Sequence, residues 1–201
     1  MDLRERIISE STTLFFKNGI RSMTMSNIAT ELGISKRTLY EVFRDKEELL
    51  YECISSHMKK NEREIAARHQ KENVIDTLMY IYTKQLRSAT EVNSSVYHDL
   101  KKYHATIFEK IEARQQEAYE GFAPFLIKGI EQGLIRKEIH VEILVWLLKV
   151  QFKALMDNEY VPIDTFSADE FIQAIILNFI RGIATATGNE RVDQLIEKTK
   201  K

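Results

Sequence analysis

Residues Ser35-Lys-Arg-Thr-Leu-Tyr40 gather hydrogen-bond donors around one apolar side chain, Leu39. On a helix with Leu39 turned inward, Lys36, Arg37, Thr38 and Tyr40 present an ammonium, a guanidinium and two hydroxyls to one surface. That set suits phosphate oxygens and the acceptor edges of bases. Ser35 is placed as the N-cap, which sets the following amides at the positive end of a helix dipole, favourable beside phosphate. Lys46 holds the equivalent first-turn position of the next helix. Upstream stand Ile28 and Ala29, then Leu32-Gly33-Ile34, with Leu39 and Val42 after them. Two short helices crossing steeply need this pattern: a small residue at the contact, a glycine in the turn and apolar residues to close the wedge. It is a helix-turn-helix spacing, the geometry that presents a second helix to a groove.

The elements that must hold this pair are legible from their ends. Asp2-Leu-Arg-Glu5 forms a capping box ahead of Leu3, Ile7, Ile8, Leu14 and Phe15 at helical spacing, predicting a first helix to about Lys17 that stops at Asn18-Gly19. Thr24 caps a short second helix that Gly33 ends, and Ser35 caps the third. Asp45-Lys-Glu-Glu48 opens a long fourth helix through Leu49, Leu50, Cys53, Ile54 and Met58 into a charged connector at 59–72. Beyond it the spacing predicts helices near 73–88, 93–103, 105–133, 139–157 and 167–187. A kink is expected one turn before Pro124, a loop at Tyr160–Thr165, and a capping box at Ser167-Ala-Asp-Glu170. The predicted organisation is all-α: a three-helix helix-turn-helix module over 1–46, then a regulatory and dimerising helical bundle over 47–201.

Composition agrees. Seven Gly and two Pro in 201 residues leave little turn chemistry for a many-stranded sheet, while 44% hydrophobic and 29% charged residues suit amphipathic helices around a core. One cysteine, Cys53, excludes an intrachain disulfide and any cysteine-based zinc module, and is expected in the core. The charged start and a longest apolar run of only Ile143 to Leu148 speak against a secretory signal or a membrane span, so a cytoplasmic chain is expected. The net charge of −1 conceals a segment, Lys17–Lys46, with six bases against three acids. An anionic partner should meet that segment.

Residues 19–50, GIRSMTMSNIATELGISKRTLYEVFRDKEELL, resemble the DNA-binding signature of the TetR (tetracycline-repressor-like) regulators, including the closing element Tyr40, Phe43, Lys46, Glu47 and Leu49. The resemblance implies an all-helical fold, usually a dimer, that often releases DNA when a small molecule binds the C-terminal bundle, and the two-fold symmetry of a dimer predicts a palindromic operator. It implies phosphate contacts from Thr24, Tyr40 and Lys46, and a major-groove surface from Lys36, Arg37 and Thr38. Where the family commonly has an aromatic-His pair after the phosphate-contacting tyrosine, this chain has Glu41-Val42.

The C-terminal part carries less specific chemistry. Met79, Tyr80, Tyr82, Tyr97, Phe108, Tyr119, Phe122, Phe152 and Met156 are candidates to line an apolar ligand pocket. Two wide apolar faces suggest a two-fold four-helix contact, with Trp146, Val150, Ile172, Ile176, Phe179 and Ile183 at a homodimer interface, and Gly182, Ala184 and Ala186 permitting close approach. His98 and His104 lack metal-ligand companions, and Ser56-His-Met-Lys59 lacks those of a Ser-x-x-Lys enzyme, so no metal, cofactor or enzymatic role is expected. Two alternatives remain: a DNA-binding regulator controlled by a protein partner, and a helical ligand carrier or enzyme in which the helix-turn-helix is incidental.

Overall fold

The computed structural model describes residues 2–93, 95–157 and 166–199, with the side chains of 89, 90, 155–157, 168 and 199 also outside the description. Among these are eleven helices and no strand: α1 (Leu3–Asn18), α2 (Met25–Glu31), α3 (Lys36–Val42), α4 (Lys46–Lys71), α5 (Val74–Glu91), α6 (Ser95–Tyr103), α7 (Ala105–Glu120), α8 (Phe122–Glu131), α9 (Val141–Asp157), α10 (Ala168–Ile183) and α11 (Ala186–Thr199). The loop expected at Tyr160–Thr165 lies outside the described residues. The chain divides into two compact units, the first 64 residues with Glu91–Ala113, and Ile65–Thr90 with Arg114–Lys201. The boundary expected at 46 therefore moves. Leu49, Leu50, Cys53 and Ile54 of α4 join the same core as α1–α3, and so do Val96, Leu100 and Ile107 from far along the chain.

In the first unit the expected caps are made. The Asp2 carboxylate accepts from Glu5 N at 2.7 Å and the Glu5 carboxylate accepts from Asp2 N at 3.3 Å, the reciprocal box that satisfies two otherwise orphaned donors. At the C-terminal end of α2, Leu32 O accepts from Arg6 of α1 at 2.7 Å, and Gly33 follows with φ +65, the left-handed conformation expected of it. Ile7, Phe15, Ile20, Ile28, Leu39 and Phe43 are fully buried around this turn.

The second unit departs from expectation in two places. The helix expected over 105–133 is two, α7 and α8, parted at Gly121, whose N–H still donates to Glu117 O at 3.1 Å. Pro124 falls in the first turn of α8, where its missing N–H leaves no bond unmade, so the expected kink is a break three residues before it. The helix expected to reach 187 ends at Ile183, and a further helix, α11, starts after Thr185, whose hydroxyl accepts from Gly188 N at 3.1 Å. Around this corner Arg136 N donates to Ile183 O and Thr185 N to Leu134 O, at 2.9 and 3.0 Å. The close approach is made at Gly188: a Cβ there would stand 2.3 Å from the Leu134 carbonyl oxygen, whereas one at Gly182 would meet nothing. Arg191 of α11 reaches both carboxylate oxygens of Asp76 on α5, at 2.7 and 2.9 Å, so α11 is fastened by a bidentate pair.

Candidate nucleic-acid interface

The inner side of α3 is fixed and its outer side is open. Leu39 and Phe43 are fully buried, whereas Ser35, Lys36, Arg37 and Glu41 are exposed and Tyr40 is 45% exposed. The Ser35 hydroxyl accepts from Thr38 N at 2.9 Å and lies 2.8 Å from the Thr38 hydroxyl, so these two small side chains are spent largely on the cap. The Lys36 ammonium sits 5.8 Å from the Tyr40 ring centroid. Arg37, its side chain 89% exposed, donates from Nε to the Glu41 carboxylate at 2.9 Å, the i,i+4 spacing that sets side chains one turn apart. The outer face thus offers an ammonium, a guanidinium and a phenol, the expected donors less the Thr38 hydroxyl.

Two expected contacts are placed otherwise. Thr24 is exposed, but its hydroxyl accepts from Asn27 N and pairs with the Asn27 side-chain oxygen, which in turn accepts from Thr24 N. Its donor is committed to a capping box that sequence reading credited to Thr24 alone. Lys46 turns inward. Its ammonium donates to Ile20 O at 2.6 Å, lies 5.9 Å from the centroid of Phe15, and is half-buried, which lowers its pKa through desolvation. It clasps the segment leading into α2 rather than facing outward, and a lysine 26 residues from its carbonyl partner carries no local sequence signal of that.

The same segment is held from α6. Arg21 N donates to the buried Asp99 carboxylate at 3.3 Å, and the Arg21 guanidinium lies 4.6 Å from the Tyr103 centroid. Asn93 N donates to Phe16 O, the carbonyl near the end of α1, at 2.6 Å. At the start of α4, Glu48 N donates to the Asp45 carboxylate at 2.8 Å; that bond, with Arg44 beside it, holds the Asp45 carboxyl below its ordinary range. His104, a metal candidate set aside in the sequence, lies 2.8 Å from Glu47, and His98 is exposed. Among the described residues no three His, Cys, Asp or Glu side chains gather as a metal site.

Residues 7–53, the helix-turn-helix with α1 and the start of α4, match the family model described as bacterial regulatory proteins, tetR family. That segment is similar to the family's DNA-binding domain. The chain is 27% identical to the HTH-type transcriptional regulator YvaF of Bacillus subtilis over 94% of its own length and 98% of that protein's. It is 20% identical to the HTH-type transcriptional repressor KstR2 of Mycolicibacterium smegmatis over 93% of both chains. A transcriptional regulator from Saccharomonospora viridis, solved in complex with choline, shares the fold with a TM-score of 0.69 and 21% identity, covering 90% of this chain and 97% of that one. The chain is a DNA-binding transcriptional regulator. Among the described residues no helix is long and apolar enough to cross a membrane.

The pocket candidates do not form one group. Tyr97 and Phe108 stack edge to face at 5.3 Å in the first unit. Met79 and Tyr82 are buried in the core of the second, where Phe122 stacks on Phe125 at 5.5 Å and lies 6.4 Å from Phe179; Phe152 packs against that core and Tyr80 is half-buried beneath the Arg68 guanidinium. Tyr119 is half-buried, and burial raises its phenol pKa. The Met156 side chain lies outside the described residues. The interface candidates divide as well. Ile172, Ile176 and Ile183 are buried in the second unit's own core and so are not surface, while Phe179 is half-buried against that core. Trp146 and Val150 are exposed and share a stripe on α9 with Ile143 and Leu147.

Proposed function

We propose that this regulator is a homodimeric repressor that reads a near-palindromic operator with α3 and lets go when a small apolar molecule binds the second unit. The observation that carries the reading is the two-sided character of α3: Leu39 anchors it completely, and Lys36, Arg37 and Tyr40 remain outside. In the operator complex Arg37 meets a guanine edge while Lys36 and Tyr40 meet phosphates. One such helix spans only a few base pairs, so two are needed, presented ~34 Å apart or at a multiple of that. The apolar stripe Ile143, Trp146, Leu147 and Val150 supports a two-fold contact through α9, with the part of α10 beside it contributing less than the sequence suggested. The aromatic cluster of Phe122, Phe125 and Phe179 supports an apolar ligand, and the Saccharomonospora viridis regulator, solved in complex with the cation choline, supports a small molecule as effector. The relatives are regulators, and we assign the chain no enzymatic role.

The test is selection of DNA fragments from a random pool by the purified chain. A recovered two-fold motif supports the reading, and a pool that stays random after selection refutes it. Displacement of a fluorescent apolar dye by a compound panel, read together with operator release, tests the ligand. A chain that releases its operator only to a protein from the same cells favours the partner-controlled alternative.

A further inference from the structure

Within the reading helix one side chain has no role yet. Glu41 is exposed on α3 and carries a negative charge on a surface meant for a polyanion, where an unpaired carboxylate repels phosphate. It is not unpaired. Its Oε1 accepts from Arg37 Nε at 2.9 Å. A guanidinium has five N–H groups in a rigid fork, and the bond at Nε leaves the four on the two terminal nitrogens. Guanine presents two acceptors, O6 and N7, in the major groove, a spacing those terminal nitrogens match. An arginine with an 89% exposed side chain otherwise ranges over many rotamers, all but one of which is lost on binding.

We infer that Glu41 is the positioning residue for base reading: it holds Arg37 through Nε and leaves both terminal amino groups aimed at a guanine edge. This inference rests on α3 being the reading helix. The pair is close to neutral, so as a unit it adds little to sequence-independent attraction and its contribution lies in discrimination, whereas Lys36 supplies charge. An exposed i,i+4 pair is weak, and that suits the role, because it biases the arginine without locking it.

The experiment uses the full chain, the operator recovered by selection, a panel with each base pair replaced in turn, and random DNA. Arg37→Ala first identifies the base pair at which preference collapses. Glu41→Gln is expected to weaken preference at that same base pair about two- to tenfold, the worth of one ordered side chain, with an unchanged melting curve and tighter binding to random DNA. Glu41→Asp keeps the charge but shortens the reach; it should reproduce the lost preference without the gain on random DNA. In the Arg37→Ala background Glu41→Gln should change nothing further at that base pair. An unaltered preference in Glu41→Gln overturns the inference, and so does an equal loss with and without Arg37, the result expected if Glu41 reads a base itself. If the wild type selects an operator but Arg37→Ala changes no preference, the inference fails while the function stands. A wild type that selects no sequence takes down both.

Discussion

Helices α3, of 7 residues, and α9, of 17, each leave one face uncovered, and the two faces are chemical opposites. The outer side of α3 carries Lys36, Arg37 and Tyr40; that of α9 carries Ile143, Trp146, Leu147 and Val150, spaced i, i+3, i+4 and i+7. A donor face is well solvated and can wait for its partner. An apolar stripe with Trp146 61% exposed is unfavourable in water, which is why we propose it as the surface that a second copy covers. On the proposed function, the difference separates a reading surface, free until DNA arrives, from an assembly surface occupied throughout.

The strongest way to break that contrast is Trp146→Asp. Because Trp146 is exposed in one chain, the variant should fold. At a two-fold contact, however, it buries an unpaired carboxylate on each side and removes an aromatic anchor, at a cost of several kcal/mol. Sedimentation should then show a folded monomer with little operator affinity. A variant that remains dimeric and binds the palindrome assigns the assembly surface elsewhere.

Next in size is a pair of glycines that differ as the two units do. Gly188→Ala gains about 1 kcal/mol of helix propensity, but its Cβ would meet the Leu134 carbonyl oxygen at 2.3 Å, a backbone atom that cannot swing aside. Overpacking should win and the second unit lose about 3 kcal/mol. At Gly33 a Cβ meets nothing, so only the positive φ of +65 is penalised, and Gly33→Val should cost the first unit about 1 to 3 kcal/mol. Gly33→Asn should cost less, since Asn tolerates that conformation. Chemical unfolding of the three variants checks the order, and equal losses for Val and Asn would show that φ is not what Gly33 supplies.

These glycines also mark what the sequence could tell. Gly33 was legible because its role is local: it follows α2 and precedes the Ser35 cap within three residues. The caps at Asp2, Ser35, Asp45 and Ser167 were legible for the same reason, and so was the donor face of α3. Gly188 was not, because its constraint is a carbonyl 54 positions earlier in the chain. Lys46, with its partner at Ile20, and Asp99, with its partner at Arg21, were hidden likewise. The apolar faces of α9 and α10 were visible as apolar. Which residues of each turn inward depends on neighbours that periodicity does not name, so Ile172, Ile176 and Ile183 were read as interface and lie in the core.

Within the first unit, Arg37→Ala and Lys46→Met should part company. Loss of Arg37 should remove ~1 to 3 kcal/mol of discrimination against the wrong base and, by leaving Glu41 unpaired, weaken binding to random DNA by a smaller amount. Lys46→Met removes a bond to Ile20 O, a carbonyl that still accepts from Met23 N at 3.3 Å, so the loss is a stability of about 1 kcal/mol. The slope of binding against salt should stay unchanged in Lys46→Met. A slope smaller by about one would restore Lys46 as a phosphate contact and remove the inward clasp.

The smallest effect concerns how each unit treats a histidine. In the first unit His104 has Glu47 at 2.8 Å. In the second, His69 lies 4.8 Å from the Phe125 ring centroid with no partner at Nδ1, and burial, followed by the charge of Lys128, lowers its pKa. A histidine whose folded pKa lies below the ordinary ~6.5 releases its proton on folding throughout the window between the two values. Over that window the unfolded chain holds more protons, so stability rises with pH. It is therefore lost as pH falls below about 6.5, until the folded pKa is reached, and His69 adds no pH dependence above about 6.5. Melting curves of the wild type from pH 8 to pH 5 include every other carboxylate and histidine, so the informative quantity is the difference from His69→Phe, which keeps the ring contact and removes the titration. The wild type should lose more stability than that variant on acidification, with the gap opening below pH 6.5. A gap that closes instead would mean that protonated His69 finds a partner in the folded chain, and the second unit would then pair its histidine as the first does.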